Sequence, residues 1–273
     1  MSAPSSPNAA DLKFRQSRFY AFPNGTKIHF LEYGGSGPSV LLIPGITTPA
    51  ILWGFVSERI GQYAHVYALD NRGRGLSDQR PGLGYSLDDY AADAAGVIKL
   101  LGLRNTIVLG HSMGARIGIR LAATYPELVD RLIMADPPVS GPGRRPYPNG
   151  IQQYLDNIDR AIRGESLPSS GNYTSEQLLL RTEWVATCSK EAVIETHRGF
   201  HEEDIFRDLS NITCPSLLLY AGQGDTIRDH EAEEIVGLMR NVRKSKLENV
   251  GHMMPWFDLD LFLHSVEGFI RGQ

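Results

Sequence analysis

The chain has 273 residues, of which 42% are hydrophobic and 21% are charged, and its formal net charge at pH 7 is −4. This length and composition predict a soluble globular protein with one large α/β domain, or with one such domain and an insertion. The net negative charge argues against a general binder of nucleic acid or anionic membrane, because the average electrostatic field of the protein attracts neither partner.

The cysteine content and the N-terminus bear on the cellular compartment. Cys188 and Cys214 are too few for a disulfide framework, and no apolar run is long enough to span a bilayer. Residues 1–11 are rich in Ser, Pro and Ala and lack the charged start and apolar centre of a signal peptide. We therefore expect a disordered lead-in and a reduced, cytoplasmic protein with no membrane partner.

The first third of the chain contains the signals of several strands. Residues 19–33 alternate apolar and polar side chains around an Asn-Gly pair, which predicts a β-hairpin at the edge of a sheet. Residues 39–43 and 65–70 are continuous apolar runs, as in strands buried on both faces. The glycine-rich segment 71–77 does not match the spacing of a phosphate-binding loop, so it predicts a structural loop.

A nucleophile elbow is predicted at the centre of the chain. The β-branched run 106–109 leads directly into Gly-His-Ser-Met-Gly at 110–114, and a helix-like segment follows at 115–124. At such an elbow the Ser112 backbone is strained, and small residues on either side avoid clashes with neighbouring backbone. The motif alone also fits a glycine-rich turn with a surface serine, but its strand-turn-helix context and the late His252 favour a hydrolase.

The remaining elements predict an α/β-hydrolase fold. A helical pattern at 89–101 and a strand at 131–136 continue the alternation of strand and helix, which predicts a mostly parallel sheet with helices on both faces. The pattern then changes to a proline/glycine loop and three helix-like segments, at 151–162, 175–188 and 190–208. We predict a core of residues 1–138 and 212–273, with a helical cap of residues 139–211 inserted after the sixth strand.

The candidate catalytic side chains follow from the needs of a serine nucleophile. Ser112 requires a base, and His252 is the histidine that follows the predicted last strand, at 244–250. A carboxylate must orient that imidazole, and two are placed to do so. Asp225 follows the strand predicted after the cap, at 216–222, and Asp136 ends the strand before the cap, at 131–136. The residue pattern alone does not separate them.

The tetrahedral intermediate of such a reaction needs an oxyanion hole. One donor in this fold is the backbone N–H after the nucleophile, which belongs to Met113. The second donor comes from the loop after the strand at 39–43, where Ile46 is our candidate.

A metal site is the other chemistry that the cap residues suggest. His197 and His201 are four residues apart on a predicted helix, beside Glu202 and Glu203, which could form a metal-ligating face. Because no third ligand has a defining spacing, we favour a hydrogen-bonded helix and expect no metal.

Several segments of the sequence also match a known enzyme family. They are Leu42-Ile-Pro-Gly-Ile-Thr47, Trp53-Gly-Phe-Val56, Gly110-His-Ser-Met-Gly-Ala-Arg116, Asp136-Pro-Pro-Val-Ser-Gly-Pro-Gly-Arg-Arg145, Glu183-Trp184, Phe200-His201-Glu202 through Ile205, and Gly251-His-Met253. Across most of the chain these segments resemble the N-formylmaleamate deformylases of aerobic nicotinate breakdown. The run from Asp136 to Arg145 is the most specific of them, because the general fold does not require it.

The resemblance implies a reaction and a set of roles. It implies hydrolysis of N-formylmaleamate to maleamate and formate without a cofactor, with the acid supplied by the Asp-Pro-Pro-Val motif at Asp136 and with Asp225 as the alternative. Such a substrate is a small anionic amide, and its carboxylate favours a bidentate arginine partner. Arg144, Arg145 and Arg181 are the candidates for that partner.

Other functions fit parts of the same pattern. A carbon–carbon hydrolase of a ring-cleavage product, or another small-acid amide or ester hydrolase, would carry the same elbow. A ligand-binding receptor that has lost turnover is disfavoured by the intact Ser112 and His252. Dehalogenases and epoxide hydrolases of this fold place aspartate at the elbow, so Ser112 argues against both. The sequence leaves the oligomeric state open.

Overall fold

The computed structural model describes residues 14–169 and 171–273. Within those residues eight strands form one sheet. They are β1 (Gln16–Ala21), β2 (Lys27–Tyr33), β3 (Ser39–Ile43), β4 (His65–Leu69), β5 (Thr106–His111), β6 (Val129–Ala135), β7 (Ser216–Ala221) and β8 (Val242–Leu247). Their order across the sheet is β1-β2-β4-β3-β5-β6-β7-β8. The interpretation of residues 1–11 lies outside the described part of the chain.

The sheet is mostly parallel, as predicted. The β1–β2 and β2–β4 pairs are antiparallel, and the pairs from β4 through β3, β5, β6 and β7 to β8 are parallel. The predicted hairpin is β1–β2, and β1 is exposed along most of its length at the sheet edge. The apolar runs at 39–43, 65–70 and 106–109 form β3, β4 and β5, which are buried except for the first residue of β3 and of β4, because helices cover both faces of the sheet.

The helices of the described chain occupy the two faces and the segment between β6 and β7. They are α1 (Gly54–Ile60), α2 (Leu87–Leu100), α3 (Met113–Thr124), α4 (Ile151–Ile162), α5 (Ser175–Val185), α6 (Lys190–Glu202), α7 (Phe206–Leu209), α8 (Asp229–Leu238), α9 (Met254–Phe257) and α10 (Leu259–Arg271). The elbow helix is α3, and α4 has the predicted bounds.

The helical prediction for 190–208 was wrong in one respect, because the helix is interrupted between α6 and α7. The Asp204 side chain accepts a hydrogen bond from Phe206 N at 2.8 Å, a local turn that competes with helix continuation. The short helices α1 and α9 were not predicted. The first begins at a glycine without a side-chain cap, and the second is four residues long with a proline in its first turn.

A buried arginine of the elbow helix holds the inserted segment. Arg116 donates to the backbone oxygens of Pro138 and Ser140 at 2.8 and 2.9 Å, where the insertion begins. It also donates to the backbone oxygens of Gly199 and Glu203 at 3.3 and 2.7 Å, at the end of α6. Burial lowers the pKa of Arg116 to about 10, yet the group stays cationic at neutral pH. The helix that follows Ser112 therefore anchors both ends of α4–α6.

Two properties of the described chain bear on its environment. Among residues 14–169 and 171–273, no helix combines the length and the hydropathy needed to cross a bilayer. Cys188 is buried and Cys214 is partly buried, and both are free thiols.

Candidate active site

Ser112 lies at a strained turn that the neighbouring glycines permit. Its φ and ψ angles are 54° and −119°, a conformation that costs free energy for a residue with a side chain. A Cβ atom on Gly110 would lie 2.2 Å from the Gly114 carbonyl oxygen, and one on Gly114 would lie 1.8 Å from the Ile43 carbonyl oxygen. Larger residues would push α3 away from β3 and β5. The predicted elbow geometry is therefore present.

Ser112, His252 and Asp136 form a continuous hydrogen-bonded chain. The His252 Nε2 atom is 3.0 Å from Ser112 Oγ, and Nδ1 is 2.6 Å from Asp136 Oδ2. Asp136 is completely buried, and its Oδ1 accepts a hydrogen bond from Ala221 N at 3.1 Å. A carboxylate fixed in this way keeps the proton on Nδ1, so Nε2 is free to accept the Ser112 proton.

The alternative carboxylate is not brought to the imidazole. The Asp225 side chain is 51% exposed and pairs with Arg228 Nε at 2.7 Å. Its neighbour Thr226 reaches the site instead, with Oγ1 3.1 Å from His252 Nδ1. The turn after β7 therefore supports the imidazole with a hydroxyl, and its carboxylate points to solvent.

The turn after β3 lies directly against Ser112. A Cβ atom on Gly45 would be 3.4 Å from the Ser112 Cβ, so the backbone of this turn lies within van der Waals range of the Ser112 side chain. The turn is held from β4 by Asp70, which is buried and accepts a hydrogen bond from Ala50 N at 2.6 Å.

Arg74 connects this turn to α6, a contact that the sequence analysis missed. The side chain is fully buried, and its Nε donates to the Ile46 carbonyl oxygen at 2.9 Å. Its Nη2 donates to Ala192 O at 3.3 Å and to Thr196 Oγ1 at 2.9 Å, and Tyr90 is a further partner. The predicted structural loop thus fixes the peptide that carries Ile46. The sequence signal that could have indicated this contact is an arginine within the glycine-rich segment 71–77.

His111 fixes the chain around His252. Its Nε2 donates to the His252 backbone oxygen at 2.8 Å, and the two rings lie 4.9 Å apart. Burial, together with repulsion from His252, lowers the pKa of His111 to about 3. The ring is therefore neutral, and it positions the loop after β8 without adding charge beside the base.

Two of the three candidate arginines form ion pairs with carboxylates of the chain. Arg144 forms a bidentate pair with Glu234, and its guanidinium lies 3.4 Å from the centre of the Phe206 ring. Arg145 forms a bidentate pair with Glu231, at 2.7 and 2.8 Å, and also donates to Thr226 O at 2.8 Å. Both guanidinium groups therefore already have a bidentate carboxylate partner.

Arg181 on α5 is the candidate that retains free donors. It donates to Pro168 O at 2.7 Å and lies 5.7 Å from the centre of the Tyr173 ring. No carboxylate among residues 14–169 and 171–273 forms an ion pair with it. Burial is the larger influence on its pKa and lowers it, since a half-buried cation without an anion is poorly solvated.

His197 and His201 are occupied by hydrogen bonds within the cap. His197 Nε2 donates to Asn149 O at 2.9 Å, and His201 Nδ1 donates to His197 O at 3.0 Å. His201 Nε2 accepts a hydrogen bond from Tyr147 N at 3.3 Å. The described residues contain no group of three or more side chains arranged to hold a metal. The pair therefore fastens the segment before α4 onto α6.

Tyr147 is a second residue that the sequence analysis missed. Its side chain is buried, and its hydroxyl oxygen accepts hydrogen bonds from Asn149 Nδ2 at 3.3 Å and from the Tyr154 hydroxyl at 3.2 Å. Burial is the main cause that raises its pKa; the charge of Asp136 adds to this, and the Ser112 hydroxyl lowers the pKa.

Comparison with known proteins identifies the fold and near relatives. Residues 40–263 match the model of the alpha/beta hydrolase family. The chain is 44% identical over 251 residues to an N-formylmaleamate deformylase of Pseudomonas putida, covering 90% of this chain and 94% of the relative. A crystal structure of an N-formylmaleamic acid deformylase from Pseudomonas putida superposes with a TM-score of 0.86 at 40% identity, covering 92% of this chain and all of that one.

A further relative matches part of the chain. A 2-(acetamidomethylene)succinate hydrolase of Mesorhizobium japonicum is 41% identical over 102 residues, which cover 37% of this chain and 36% of the relative. A crystal structure with that activity in its name superposes with a TM-score of 0.72 at 24% identity, covering 93% of this chain and 98% of that one. The second likeness supports the fold alone.

We predict that His111 makes the protein sensitive to acid. Because its pKa falls from 6.5 to about 3 on folding, protonation favours the unfolded chain. The stability that neutral His111 contributes is thus complete above pH 6.5 and is lost as the pH falls toward 3. His111→Gln should therefore be less stable than wild type at neutral pH, and the difference in Tm should narrow in acid.

Thermal unfolding measured from about pH 8 down to about pH 4 tests this prediction. His264→Gln is the matched control, since His264 is exposed on α10 and should give a curve parallel to wild type. A constant difference between His111→Gln and wild type across the range would contradict the assignment.

Proposed function

The chain belongs to the alpha/beta hydrolase family, and from that premise we propose that it hydrolyses the formyl C–N bond of N-formylmaleamate to give maleamate and formate. The observation that carries this proposal is the hydrogen-bonded chain of Ser112, His252 and Asp136. It occurs in a chain that is 44% identical over 90% of its length to a deformylase. We propose that these three residues are the catalytic triad.

Acylation of Ser112 is the first step. The Ser112 oxygen attacks the formyl carbon while His252 Nε2 takes the hydroxyl proton, and Asp136 stabilises the resulting imidazolium. Met113 is the first residue of α3, where a backbone N–H has no partner within the helix. We propose that this N–H and that of Ile46 hold the oxyanion of the tetrahedral intermediate.

Departure of maleamate and release of formate complete the reaction. His252 gives its proton to the departing nitrogen as the C–N bond breaks. That nitrogen is flanked by a second carbonyl, so it leaves more readily than the nitrogen of an ordinary peptide. A water molecule then attacks the formyl-Ser112 ester with His252 as base, and formate is released. These steps use no cofactor.

The cap and Arg181 account for substrate selection in this proposal. Residues 139–211 would cover the site and limit access of water, and Arg116 and Arg74 tie this segment to the core. Arg181 has free N–H donors and no carboxylate partner in the described chain, so we propose that it binds the maleamate carboxylate.

Another N-acyl acid is the second candidate substrate. The 41% identity over 102 residues to a 2-(acetamidomethylene)succinate hydrolase favours an amide with one or two carboxylates. Assay of both compounds, together with a vinylogous diketone acid, separates these amides from a carbon–carbon hydrolase substrate. Preferred release of formate from N-formylmaleamate supports the proposal, and preferred turnover of either other compound would replace it.

We predict that Ser112→Ala and Asp136→Asn each lower kcat by about three orders of magnitude or more, because each removes one member of a coupled unit. Asp225→Asn is the matched control, because Asp225 contacts Arg228 in place of His252 and should keep kcat close to wild type. Formate release followed by NMR gives the rates. A large loss in Asp225→Asn with an active Asp136→Asn would reverse the assignment of the acid.

We predict that Arg181→Met acts on substrate binding. Loss of a charge-assisted pair to the carboxylate should raise KM for N-formylmaleamate roughly 10- to 100-fold with a small change in kcat. Turnover of 4-nitrophenyl formate, which has no carboxylate, should change little. Arg144→Met is the control, because its guanidinium is already paired with Glu234. Equal KM changes in the two variants would exclude a specific role for Arg181.

We predict that Arg74→Met acts on the chemical step. Without the bond to the Ile46 carbonyl oxygen, the turn that carries the proposed oxyanion donor is free to shift, and kcat should fall roughly 10- to 100-fold while KM changes little. Arg72→Met is the control, since Arg72 is also buried but pairs with Asp93. Steady-state kinetics on folded protein tests this, and matching losses in both variants would point to stability alone.

A further inference from the structure

Thr226 contributes a hydroxyl group that the triad mechanism does not use. The residue is 3% exposed, and its Oγ1 lies 3.1 Å from His252 Nδ1. The same ring nitrogen lies 2.6 Å from Asp136 Oδ2. Because Nε2 must be free to accept the Ser112 proton, Nδ1 carries the one N–H proton of the neutral ring. That proton therefore meets two acceptor oxygens.

The two acceptors approach the imidazole from neighbouring strands. Asp136 follows β6, and Thr226 lies in the turn between β7 and α8. A ring held by one hydrogen bond can still turn about it, and this rotation moves Nε2 relative to Ser112 Oγ. A second acceptor restricts the rotation, and a small displacement of a catalytic atom can cost a large part of the rate.

Arg145 holds the backbone of Thr226. The hydroxyl belongs to a turn, so its position depends on how firmly that turn is held. Arg145 Nη2 donates to the Thr226 carbonyl oxygen at 2.8 Å. The same guanidinium donates to both carboxylate oxygens of Glu231, at 2.7 and 2.8 Å. Two such bonds fix the planar group, so it holds the Thr226 carbonyl in a defined place.

Glu231 fixes the other side of the same turn. Its Oε2 accepts a hydrogen bond from Arg228 N at 2.8 Å, two positions after Thr226. Burial opposes ionisation of Glu231, but the hydrogen bonds from Arg145 and Arg228 outweigh it and lower the pKa of the carboxyl. The carboxylate is therefore charged at neutral pH, and the ion pair clamps the turn on both sides of Thr226.

We propose that Arg145 and Thr226 are positioning residues for His252. Arg145, paired with Glu231, holds the turn after β7, and the Thr226 hydroxyl oxygen then holds the imidazole together with Asp136. This inference rests on the proposed triad and gives Arg145 an effect on the chemical step in place of contact with the substrate. Neither residue transfers a proton, because the Ser112 proton passes through His252 Nε2 to the departing nitrogen.

The first test removes the hydroxyl. Thr226→Val should lower kcat roughly 3- to 10-fold with little change in KM. The loss should be the same for N-formylmaleamate and for 4-nitrophenyl formate, because His252 serves as the base for both. Thr226→Ser keeps the hydroxyl and should restore most of kcat. Thr106→Val is the matched control, since Thr106 is fully buried at the start of β5 and should leave both rates unchanged.

The second test asks whether Arg145 acts through Thr226. Arg145→Met should lower kcat on both substrates by a factor no larger than that of Thr226→Val. In the Thr226→Val background the same change should add less than about 2-fold, since the contact that it positions is already absent. Arg145→Lys keeps a cation beside Glu231 and should give a smaller loss. Arg144→Met is the control, because Arg144 pairs with Glu234 and should leave kcat unchanged.

The outcomes separate this inference from the function on which it rests. A rise in KM for N-formylmaleamate alone in Arg145→Met would mean that Arg145 binds the substrate carboxylate, and the inference would fall. Fully additive losses in the double variant, or an unchanged kcat in Thr226→Val, would also overturn it. If the wild-type enzyme hydrolyses only the ester, the deformylase proposal fails, and the ester rates still decide the role of Thr226 and Arg145.

Discussion

The close backbone contact between α3 and the end of β3 is the constraint on which the site depends. Gly114 approaches the Ile43 carbonyl so closely that no Cβ atom fits, and Ser112 takes a positive φ to enter α3 at that point. The contact holds the start of α3 against the end of β3, and the turn at Gly45 lies against Ser112. The two backbone N–H groups that we propose for the oxyanion hole, those of Met113 and Ile46, belong to these two segments.

Buried arginines extend this arrangement into the segment between β6 and β7. Arg74 and Arg116 are almost inaccessible to solvent, and the partners of Arg116 are backbone carbonyls. Moving a cation from water into the protein interior costs free energy. The planar guanidinium group offsets part of this cost because it donates to several oxygens at once. One end of Arg74 holds Ile46 and the other holds α6. The same side chain therefore contacts both the turn that contains Ile46 and α6.

The sequence predicted the features that local pattern determines and missed those that distant partners determine. The strands, the elbow and most helices followed from apolar runs, glycines and helical periodicity, which act over a few residues. Arg145 and Glu231 are 86 positions apart in the chain, so the spacing of apolar and polar residues within a segment does not predict their ion pair. Tyr147 was missed for the same reason, because its partners on α6 meet it only after folding. The resemblance to a known family favoured Asp136 over Asp225, which the residue pattern had left open.

The choice between these two carboxylates follows from the turn after each strand. β6 and β7 are neighbours in the sheet, so a side chain after either strand starts near the imidazole. Asp136 follows β6 directly with a φ of 52°, and its backbone and side chain are both held by β7, through Leu219 and Ala221. Asp225 lies four positions past the end of β7, where the chain has already reached solvent. In the proposed triad the acid follows β6, and the turn after β7 makes a different contact with the imidazole. Its Thr226 contacts His252 and accepts a hydrogen bond from Arg145, so this turn joins the imidazole to the start of the cap.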